Sequence, residues 1–261
     1  LSLRPEVSSA RLSRRARLMF DEMDFSFLYD ETRDLFSIGY LVEDARLDLG
    51  CYDLLASEAR LTSFITIAKR DVPASHWFRL GRTLVPVDGG AALVSWSGSM
   101  FEYLMPSLLM DTPHGSLLEA TVRRVIDRHI NFGRERRVPW GISESAYNAR
   151  DIHLTYQYSN FGVPGLGLKR GLSKDTVVAP YATALAAMYD AKAAVSNFEH
   201  LTAVGALGRY GFYEALDFTA SRLPKSKEVA IVRAYMAHHQ GMTLVALANV
   251  VLKGEMRHRF H

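Results

Sequence analysis

Three glutamates stand in segments rich in aromatic residues and glycine, and they are the first candidates for chemistry. They are Glu102 in WSGSMFEYLMP, Glu144 in PWGISESAYNARD and Glu214 in GRYGFYEALDFT. None has an arginine or lysine four residues away that could form a helical ion pair with it. Cleavage of a glycosidic bond needs two carboxyl groups, a proton donor and a nucleophile or base. Aromatic surroundings raise a carboxyl pKa by desolvation, as the donor requires.

The competing interpretation is that each glutamate is solvated or caps a helix, which is the commoner role of a single loop glutamate. Composition alone leaves the two interpretations evenly supported. Sugars stack their apolar C–H faces on aromatic rings, so the nearby rings suit a saccharide cleft: Trp96, Trp140, Tyr147, Tyr156, Tyr158, Tyr210 and Tyr213. Asp88 and Asp217 are typical of turn and capping residues, with binding of a sugar hydroxyl as the alternative.

Other chemistries lack their sequence patterns. His238 and His239 are adjacent, so on a helix they point about 100° apart and cannot chelate one ion. There is no H-E-x-x-H motif and no cysteine pair, so we predict no metal site. The glycine-rich segment GVPGLGLKRG lacks phosphate-binding and dinucleotide-binding spacings, and no G-x-S-x-G motif supports acyl transfer. We predict no cofactor.

The composition indicates a soluble globular protein. Of 261 residues, 48% are hydrophobic and 23% are charged. The net charge of +3 is too small and too evenly spread to indicate nucleic-acid binding. The basic stretch RLSRRARL is interpreted as the solvated face of an amphipathic helix, with a membrane or polyanion contact as the alternative. No apolar run reaches the ~18 residues that span a bilayer, so we predict no membrane insertion of this segment.

Helical periodicity dominates the chain, and it must position the three glutamates. In GSLLEATVRRVIDRHINFGRER, a capping box of Ser116 and Glu119 precedes an apolar stripe. We count six to eight helices in sequential hairpins, joined by long polar and aromatic loops of the kind that usually carry function. The prediction is an all-α protein of the α/α toroid type with short β-hairpins and long loops at the active-site end. A bundle and an α-solenoid are the alternatives.

Several long motifs together resemble one protein family, the glucoamylase-like domain of bacterial cyclic β-1,2-glucan synthases. The resemblance begins near residue 20 and covers over nine-tenths of the chain. Its motifs occur in order as MDFSFLYDETRDLFSIGY, CYDLLASEARL, HWFRLGR, WSGSMFEYLMP, PWGISESAYNARD, YQYSNFGVPGLGLKRGL, VVAPYATALA, GRYGFYEALDFT and YMAHHQGMTLVALANV.

The resemblance implies an (α/α)6 toroid and an enzyme that closes linear β-1,2-glucan into a ring by retaining intramolecular transglycosylation. A full toroid has twelve helices, so we expect a partial toroid here, and the isolated segment could be inactive. We expect residues 1–261 to form one glucoamylase-like domain, with residues 1–20 as an N-terminal helix that leads into it. The implied parent is anchored in the bacterial inner membrane, with this segment on the cytoplasmic side between glycosyltransferase and phosphorylase-like domains.

The resemblance also implies roles for individual residues. Glu144 is expected to be the general acid/base and Glu214 the nucleophile, although the two roles could be exchanged, and Glu102 is the reserve candidate. The residues expected to bind linear β-1,2-glucan are Trp96, Trp140, Tyr147, Asn148, Arg150, Asp151, Tyr156, Gln157, Tyr210, Tyr213, Asp217, His238, His239 and Gln240. The alternatives to a cyclising enzyme are an endo-β-1,2-glucanase and a non-catalytic glucan-binding domain.

Overall fold

The computed structural model describes residues 8–260, and nine α-helices lie in this part of the chain. Only α5 reaches 20 residues, and most of the others are short. The helices are α1 Ser9–Glu22, α2 Arg60–Lys69, α3 Ser75–Arg79, α4 Met100–Leu104, α5 Leu117–Arg136, α6 Pro180–Ala187, α7 Ala191–Ala203, α8 Ala237–Val251 and α9 Glu255–Phe260.

Short strands occupy most of the connections between these helices. They are β1 Tyr29–Asp30, β2 Leu35–Ser37, β3 Tyr40–Leu41, β4 Arg46–Leu47, β5 Cys51–Tyr52, β6 Leu84–Val87, β7 Gly90–Leu93, β8 Ser145–Arg150, β9 Tyr156–Ser159, β10 Val177–Val178, β11 Leu207–Gly208, β12 Gly211–Phe212, β13 Ala215–Asp217 and β14 Ala230–Val232. Two sheets have three strands, in the orders β1-β2-β5 and β10-β13-β14. The other pairs, β3-β4, β6-β7, β8-β9 and β11-β12, are two-stranded, and all of the pairings are antiparallel.

The prediction of an all-α class is therefore wrong. The structure is 43% helical and 18% strand, with the strands divided among several small sheets. The physical reason is that buried connecting segments must pair their backbone N–H and C=O groups, and antiparallel pairing does this locally. PWGISESAYNARD, which we interpreted as an irregular loop, contains β8 and pairs with β9 from Ser145↔Ser159 to Arg150↔Tyr156 around a bulge.

The chain divides into two compact units. The first takes residues up to 53 together with 62–80, and the second takes 54–61 together with 81 onward. In the first unit, the ring of His76 is buried, with Nδ1 2.8 Å from the Asp34 carbonyl and Nε2 2.8 Å from Ser63 Oγ. Helix α1 overlaps the segment 1–20, for which we predicted an N-terminal helix, and residues 1–7 of that segment lie outside the described part. The assignment of the chain to a single domain stays a prediction.

The second unit is built around α6, whose eight residues are all buried. Pro180 occupies the first turn, where its missing N–H costs no hydrogen bond. Four alanines follow within the helix, so that α4, α7 and α8 can pack close to its backbone. This packing brings Tyr181, the one large polar side chain of α6, to the base of α8.

Helix α5 is long because its sequence satisfies both of its ends. Ser116 caps the first turn by accepting the Glu119 N–H, and the Glu119 side chain accepts the N–H of Gly115 rather than that of Ser116. The predicted capping box is therefore shifted by one residue on its carboxylate side. The helix ends at Arg136, and the next residue, Arg137, adopts a left-handed conformation with φ of 57°.

Two segments distant in sequence lie against each other in the second unit, residues 95–98 and 162–168. The backbone of Ser95 accepts the Leu168 N–H and donates to the Leu166 carbonyl. A Cβ atom on Gly162 or on Gly167 would overlap the backbone of Ser97, so only glycine fits at both positions. This contact fixes the segment that carries the serines around Glu102.

Candidate active site

Glu144 directly precedes β8 and is half-buried. Its Oε1 accepts a hydrogen bond of 2.7 Å from the Tyr158 hydroxyl, which comes from the paired strand β9. The Tyr181 hydroxyl donates to the Glu144 backbone carbonyl at 3.0 Å. Burial raises the pKa of Glu144, and the Tyr158 hydrogen bond and the nearby His239 only partly oppose this rise. The carboxyl is thus disposed to hold a proton that a solvated glutamate would lose.

His239 lies in the first turn of α8 and connects Glu144 to Glu214. Its Nδ1 is 2.9 and 3.0 Å from the two carboxylate oxygens of Glu214, and its Nε2 is 3.4 Å from the Tyr158 hydroxyl. The imidazole stacks on Tyr181 with ring centroids 3.8 Å apart. The side chain of His239 is 1% exposed and that of Glu214 is fully buried.

Glu214 also contacts the strand that carries Glu144. Its Oε1 accepts the N–H of Ala146 at 3.1 Å. The predicted pair Glu144 and Glu214 is therefore joined through Tyr158 and His239. The buried position of Glu214 follows from β13, which begins at the next residue and lies in the middle of the three-stranded sheet.

Glu102, the reserve candidate, is 7% exposed, and its carboxylate serves the backbone of its own segment. It accepts the N–H groups of Ser97 and Ser99 at 2.9 and 3.1 Å. The hydroxyls of Ser95, Ser97 and Ser99 lie 2.8, 2.7 and 3.2 Å from the same carboxylate. Ser99 and Glu102 form a complete capping box at the start of α4. These hydrogen bonds occupy the carboxylate lone pairs that a nucleophile or a proton donor would need free.

We expect Glu102→Gln to lower the free energy of unfolding by about 2–4 kcal/mol. The NH2 group of the glutamine is a hydrogen-bond donor, and it would face the N–H and O–H donors that the carboxylate now accepts. Urea denaturation followed by circular dichroism measures this loss. Glu199→Gln, on an exposed site of α7, is the matched control and should leave stability unchanged. A Glu102→Gln protein of wild-type stability that lacked activity would instead support a catalytic role for Glu102.

Glu58 is a carboxyl group of this site that the sequence reasoning missed. It is half-buried and accepts the Ser57 hydroxyl at 3.2 Å. Burial raises its pKa, and the negative charges of Glu102 and Glu144 raise it further. Glu58 lies just before α2, which begins at Arg60. The signal available in the sequence was its place in the motif CYDLLASEARL.

Arg60 holds the segment that carries Glu58. Its guanidinium is buried and donates to the backbone carbonyls of Ser57, Glu102 and Tyr103 at 3.1, 3.2 and 2.7 Å. Burial lowers the pKa of Arg60 to about 10, so the group is still charged at neutral pH. The guanidinium therefore ties the Glu58 segment to the start of α4.

Several of the predicted glucan-binding residues meet at one cleft. Glu214 lines a cleft of about 220 Å³ together with four of the predicted glucan-binding residues, which are Tyr210, Tyr213, His239 and Gln240. Further aromatic residues of its wall are Tyr181, Phe198 and Phe212. His238 is exposed beside Tyr158, with ring centroids 6.4 Å apart. The role of these residues in binding glucan stays a prediction.

Other predicted residues lie in different surroundings. Trp140 is 8% exposed and lines a separate groove of about 770 Å³ between α5 and α7, which none of the four glutamates lines. Asp217 is buried and forms an ion pair of 2.6 Å with Arg222. Trp96 is 57% exposed.

The remaining predicted residues belong to the β8–β9 hairpin. The ring of Tyr147 lies under the guanidinium of Arg222, and Asn148 donates to the Arg222 carbonyl at 2.6 Å. Arg150 donates to the Tyr156 hydroxyl at 2.7 Å near the tip of the hairpin. Asp151 and Gln157 are exposed there.

Within residues 8–260, no group of three or more histidine, cysteine, aspartate or glutamate side chains is arranged to hold a metal ion. Proton transfer and nucleophilic attack by side chains can instead be considered for the carboxyl groups described above. Two of these, Glu58 and Glu144, are half-buried with raised pKa, and two, Glu102 and Glu214, are buried with protein donors.

Comparison with known proteins assigns the family. Residues 51–261 match the family model named Glycoamylase, which is described as "Putative glucoamylase". The chain belongs to the glycoamylase family. The match includes all four glutamates of the site, and the family assignment confirms the glucoamylase-like resemblance of the sequence motifs.

A synthase is similar in sequence to this glycoamylase-family chain. The chain is 57% identical over 250 residues to the cyclic β-(1,2)-glucan synthase NdvB of Rhizobium meliloti strain 1021. The matched region is 96% of this chain and 9% of that protein, so this chain spans a small part of the relative's length.

Two solved structures show the shared fold. A Bacteroides caccae protein with the same glucoamylase description has a TM-score of 0.68 at 16% identity, covering 98% of this chain and 63% of its own. An endo-β-1,2-glucanase from Chitinophaga pinensis, in complex with sophorotriose and glucose, has a TM-score of 0.65 at 14% identity, with the same coverage. At these identities the likeness concerns the fold.

In the part of this glycoamylase-family chain that the structure describes, no helix has both the length and the apolar character needed to cross a bilayer. The 20 residues of α5 would suffice in length, but they include several charged side chains.

Proposed function

We propose that this chain acts on linear β-1,2-glucan and closes it into a ring by retaining transglycosylation. The observation that carries the proposal is the pair of half-buried carboxyls, Glu58 and Glu144, in a domain of the glycoamylase family. The names of the relatives, a cyclic β-(1,2)-glucan synthase and an endo-β-1,2-glucanase, support the substrate. The 9% coverage of the synthase supports action beside other domains of a longer parent.

Glu144 is the general acid/base in this proposal. A proton donor must hold its proton near neutral pH and must reach the glycosidic oxygen. Burial provides the first property by raising the pKa of Glu144, and partial exposure provides the second. The Tyr158 hydroxyl at 2.7 Å directs the carboxyl while leaving Oε2 available to substrate.

For the nucleophile we propose Glu58 in place of Glu214, which the resemblance had implied. A nucleophile must touch the anomeric carbon, and the side chain of Glu214 has no exposed surface. Glu58 is accessible, and its pKa responds to the charge of Glu144. When Glu144 is protonated this repulsion disappears, so Glu58 ionises more readily. In this proposal Glu144 is the protonated and Glu58 the ionised carboxyl, which is the distribution that retention requires.

The reaction then proceeds in two displacements. The Glu58 carboxylate forms a bond to the anomeric carbon, the glycosidic C–O bond breaks, and the leaving oxygen takes the Glu144 proton. In the second step Glu144, now ionised, removes the proton from a hydroxyl of the non-reducing glucose of the same bound chain. That oxygen bonds to the anomeric carbon as the ester to Glu58 breaks, which closes the ring and restores both carboxyls.

The same scaffold supports hydrolysis if water replaces the sugar hydroxyl in the second step, as the likeness to an endo-β-1,2-glucanase suggests. Incubation with linear β-1,2-glucan followed by mass spectrometry separates these outcomes. Cyclisation gives products lighter by one water than the linear series, with no rise in reducing ends. Hydrolysis gives a steady rise in reducing ends. Binding without either product would contradict catalysis and indicate a glucan-binding domain.

A further inference from the structure

We propose that Tyr158, His239 and Glu214 form a positioning relay that holds the Glu144 carboxyl in place in both of its protonation states. The relay joins Oε1 of Glu144 to the Tyr158 hydroxyl, that hydroxyl to His239 Nε2, and His239 Nδ1 to Glu214. Its catalytic consequence rests on the proposed function, because only an acid/base residue must alternate between two states. The existence of the relay is inferred from the hydrogen bonds and does not depend on the proposed function.

The first step is the position of the hydrogen on His239. Glu214 already accepts the Ala146 N–H, and both of its oxygens lie within 3.0 Å of His239 Nδ1. A carboxylate only accepts hydrogen bonds, so Nδ1 carries the hydrogen. In the neutral imidazole, Nε2 is then an acceptor, and it points toward the Tyr158 hydroxyl.

The second step is that the Tyr158 hydroxyl has two available orientations. When Glu144 is ionised, the hydroxyl donates to Oε1 at 2.7 Å. When Glu144 is protonated, its own O–H can donate to the phenolic oxygen, and the Tyr158 hydrogen can turn to His239 Nε2 at 3.4 Å. Rotation of one hydroxyl therefore satisfies both states without movement of a heavy atom.

The third step is that the relay is anchored to the strand it serves. Glu214 binds the backbone of Ala146, two residues after Glu144. Tyr181 stacks on His239 at 3.8 Å and donates to the Glu144 carbonyl. Both ends of the relay are thus fixed to the start of β8, and the buried imidazole has little freedom to turn.

Other groups also act on the Glu144 charge. The titratable side chains that influence it or bind it, from all of the segments packed around it, are Glu58, Glu102, Tyr158, Tyr181, Glu214 and His239, with His238 exposed beside Tyr158. Of these, Tyr158 is the one whose hydroxyl contacts the Glu144 carboxylate, so its removal changes the relay while leaving the other charges in place.

The test is a titration by nuclear magnetic resonance on the whole chain labelled with ¹³C and ¹⁵N. In the wild type we expect His239 to carry its hydrogen on Nδ1. In Tyr158→Phe the ionised form of Glu144 loses a donor, so the pKa of its carboxyl should rise by about one pH unit. Tyr189→Phe, which removes a hydroxyl bonded to Thr112 and Ser107, is the control and should leave that pKa unchanged.

Kinetics give the second readout. Tyr158→Phe should lower kcat by about tenfold, with a smaller change in KM, and the alkaline limb of the pH profile should move upward because Glu144 keeps its proton longer. An unprotonated Nδ1 in neutral His239, or an unchanged Glu144 titration in Tyr158→Phe, would overturn the relay. A wild type that converts no β-1,2-glucan would contradict the proposed function alone, and the titrations would still decide the relay.

Discussion

Glu58→Gln should lower kcat on linear β-1,2-glucan by a factor on the order of 10⁴ or more, because it removes the group that forms the covalent bond. The amide keeps the size of the side chain and can still accept the Ser57 hydroxyl. We therefore expect KM to change little. Initial rates of product formation by mass spectrometry measure the effect, and the exposed Glu199→Gln serves as the control with wild-type rates.

Rescue of an alanine variant by azide distinguishes the nucleophile from a residue that is essential for another reason. In Glu58→Ala, azide can enter the space of the carboxylate, form the C–N bond at the anomeric carbon and give an α-glycosyl azide as the leaving oxygen takes the Glu144 proton. Rescue of this kind identifies the side from which Glu58 attacks. If Glu58→Ala kept its wild-type rate and Glu214→Ala gave the α-azide, Glu214 would be the nucleophile.

Glu144→Gln should lower kcat by about 10²–10⁴-fold, the usual contribution of a general acid/base. The glutamine oxygen can still accept the Tyr158 hydroxyl, so the hairpin that positions the site should be preserved. Azide should rescue Glu144→Ala with a β-glycosyl azide, because it attacks an ester already formed on Glu58. A Glu144→Gln protein with wild-type turnover would contradict the role.

The stability of Glu144→Gln provides an internal check with a definite sign. Burial raises the pKa of Glu144 in the folded protein, so its protonated form favours folding. That contribution is present below the unfolded pKa and is lost as the pH rises through the folded pKa. Glutamine removes the titration, so the variant should be at least as stable as the wild type at pH 7. Thermal denaturation at pH 4 and pH 7 measures this difference.

The sequence predicted the family and the long helix α5, because each rests on local signals. It also singled out Glu144, whose catalytic role stays a prediction. Capping residues and an apolar stripe are readable over one helix, and the motif around Glu144 combines residue types that do not suit a core. The pairing of Glu144 with Glu214 came from the family resemblance, and the contacts that join them required β8, β13 and α8 to be placed in space.

The misses have physical causes. Strands of two to six residues carry little periodicity, so the segment of β8 was interpreted as a loop although its pairing with β9 supplies Tyr158 to Glu144. Glu58 was missed because it lies just before α2, in a segment whose apolar spacing resembles a helical face rather than a loop. A buried proton donor and a buried capping glutamate are surrounded by the same residue types in the sequence. Glu102 could therefore be distinguished from Glu144 only by its hydrogen bonds to the serines in the structure.

The contact between Gly162, Gly167 and the Ser97 backbone has a consequence for protein engineering. A chimaera that replaced residues 160–168 with a segment lacking glycine at position 162 or 167 would press a Cβ atom into the backbone of Ser97. The two segments should therefore be exchanged together, although they are distant in the chain. Attempts to alter substrate range should exchange both segments. One segment exchanged alone would lose part of the contact that supports the glutamates beside it.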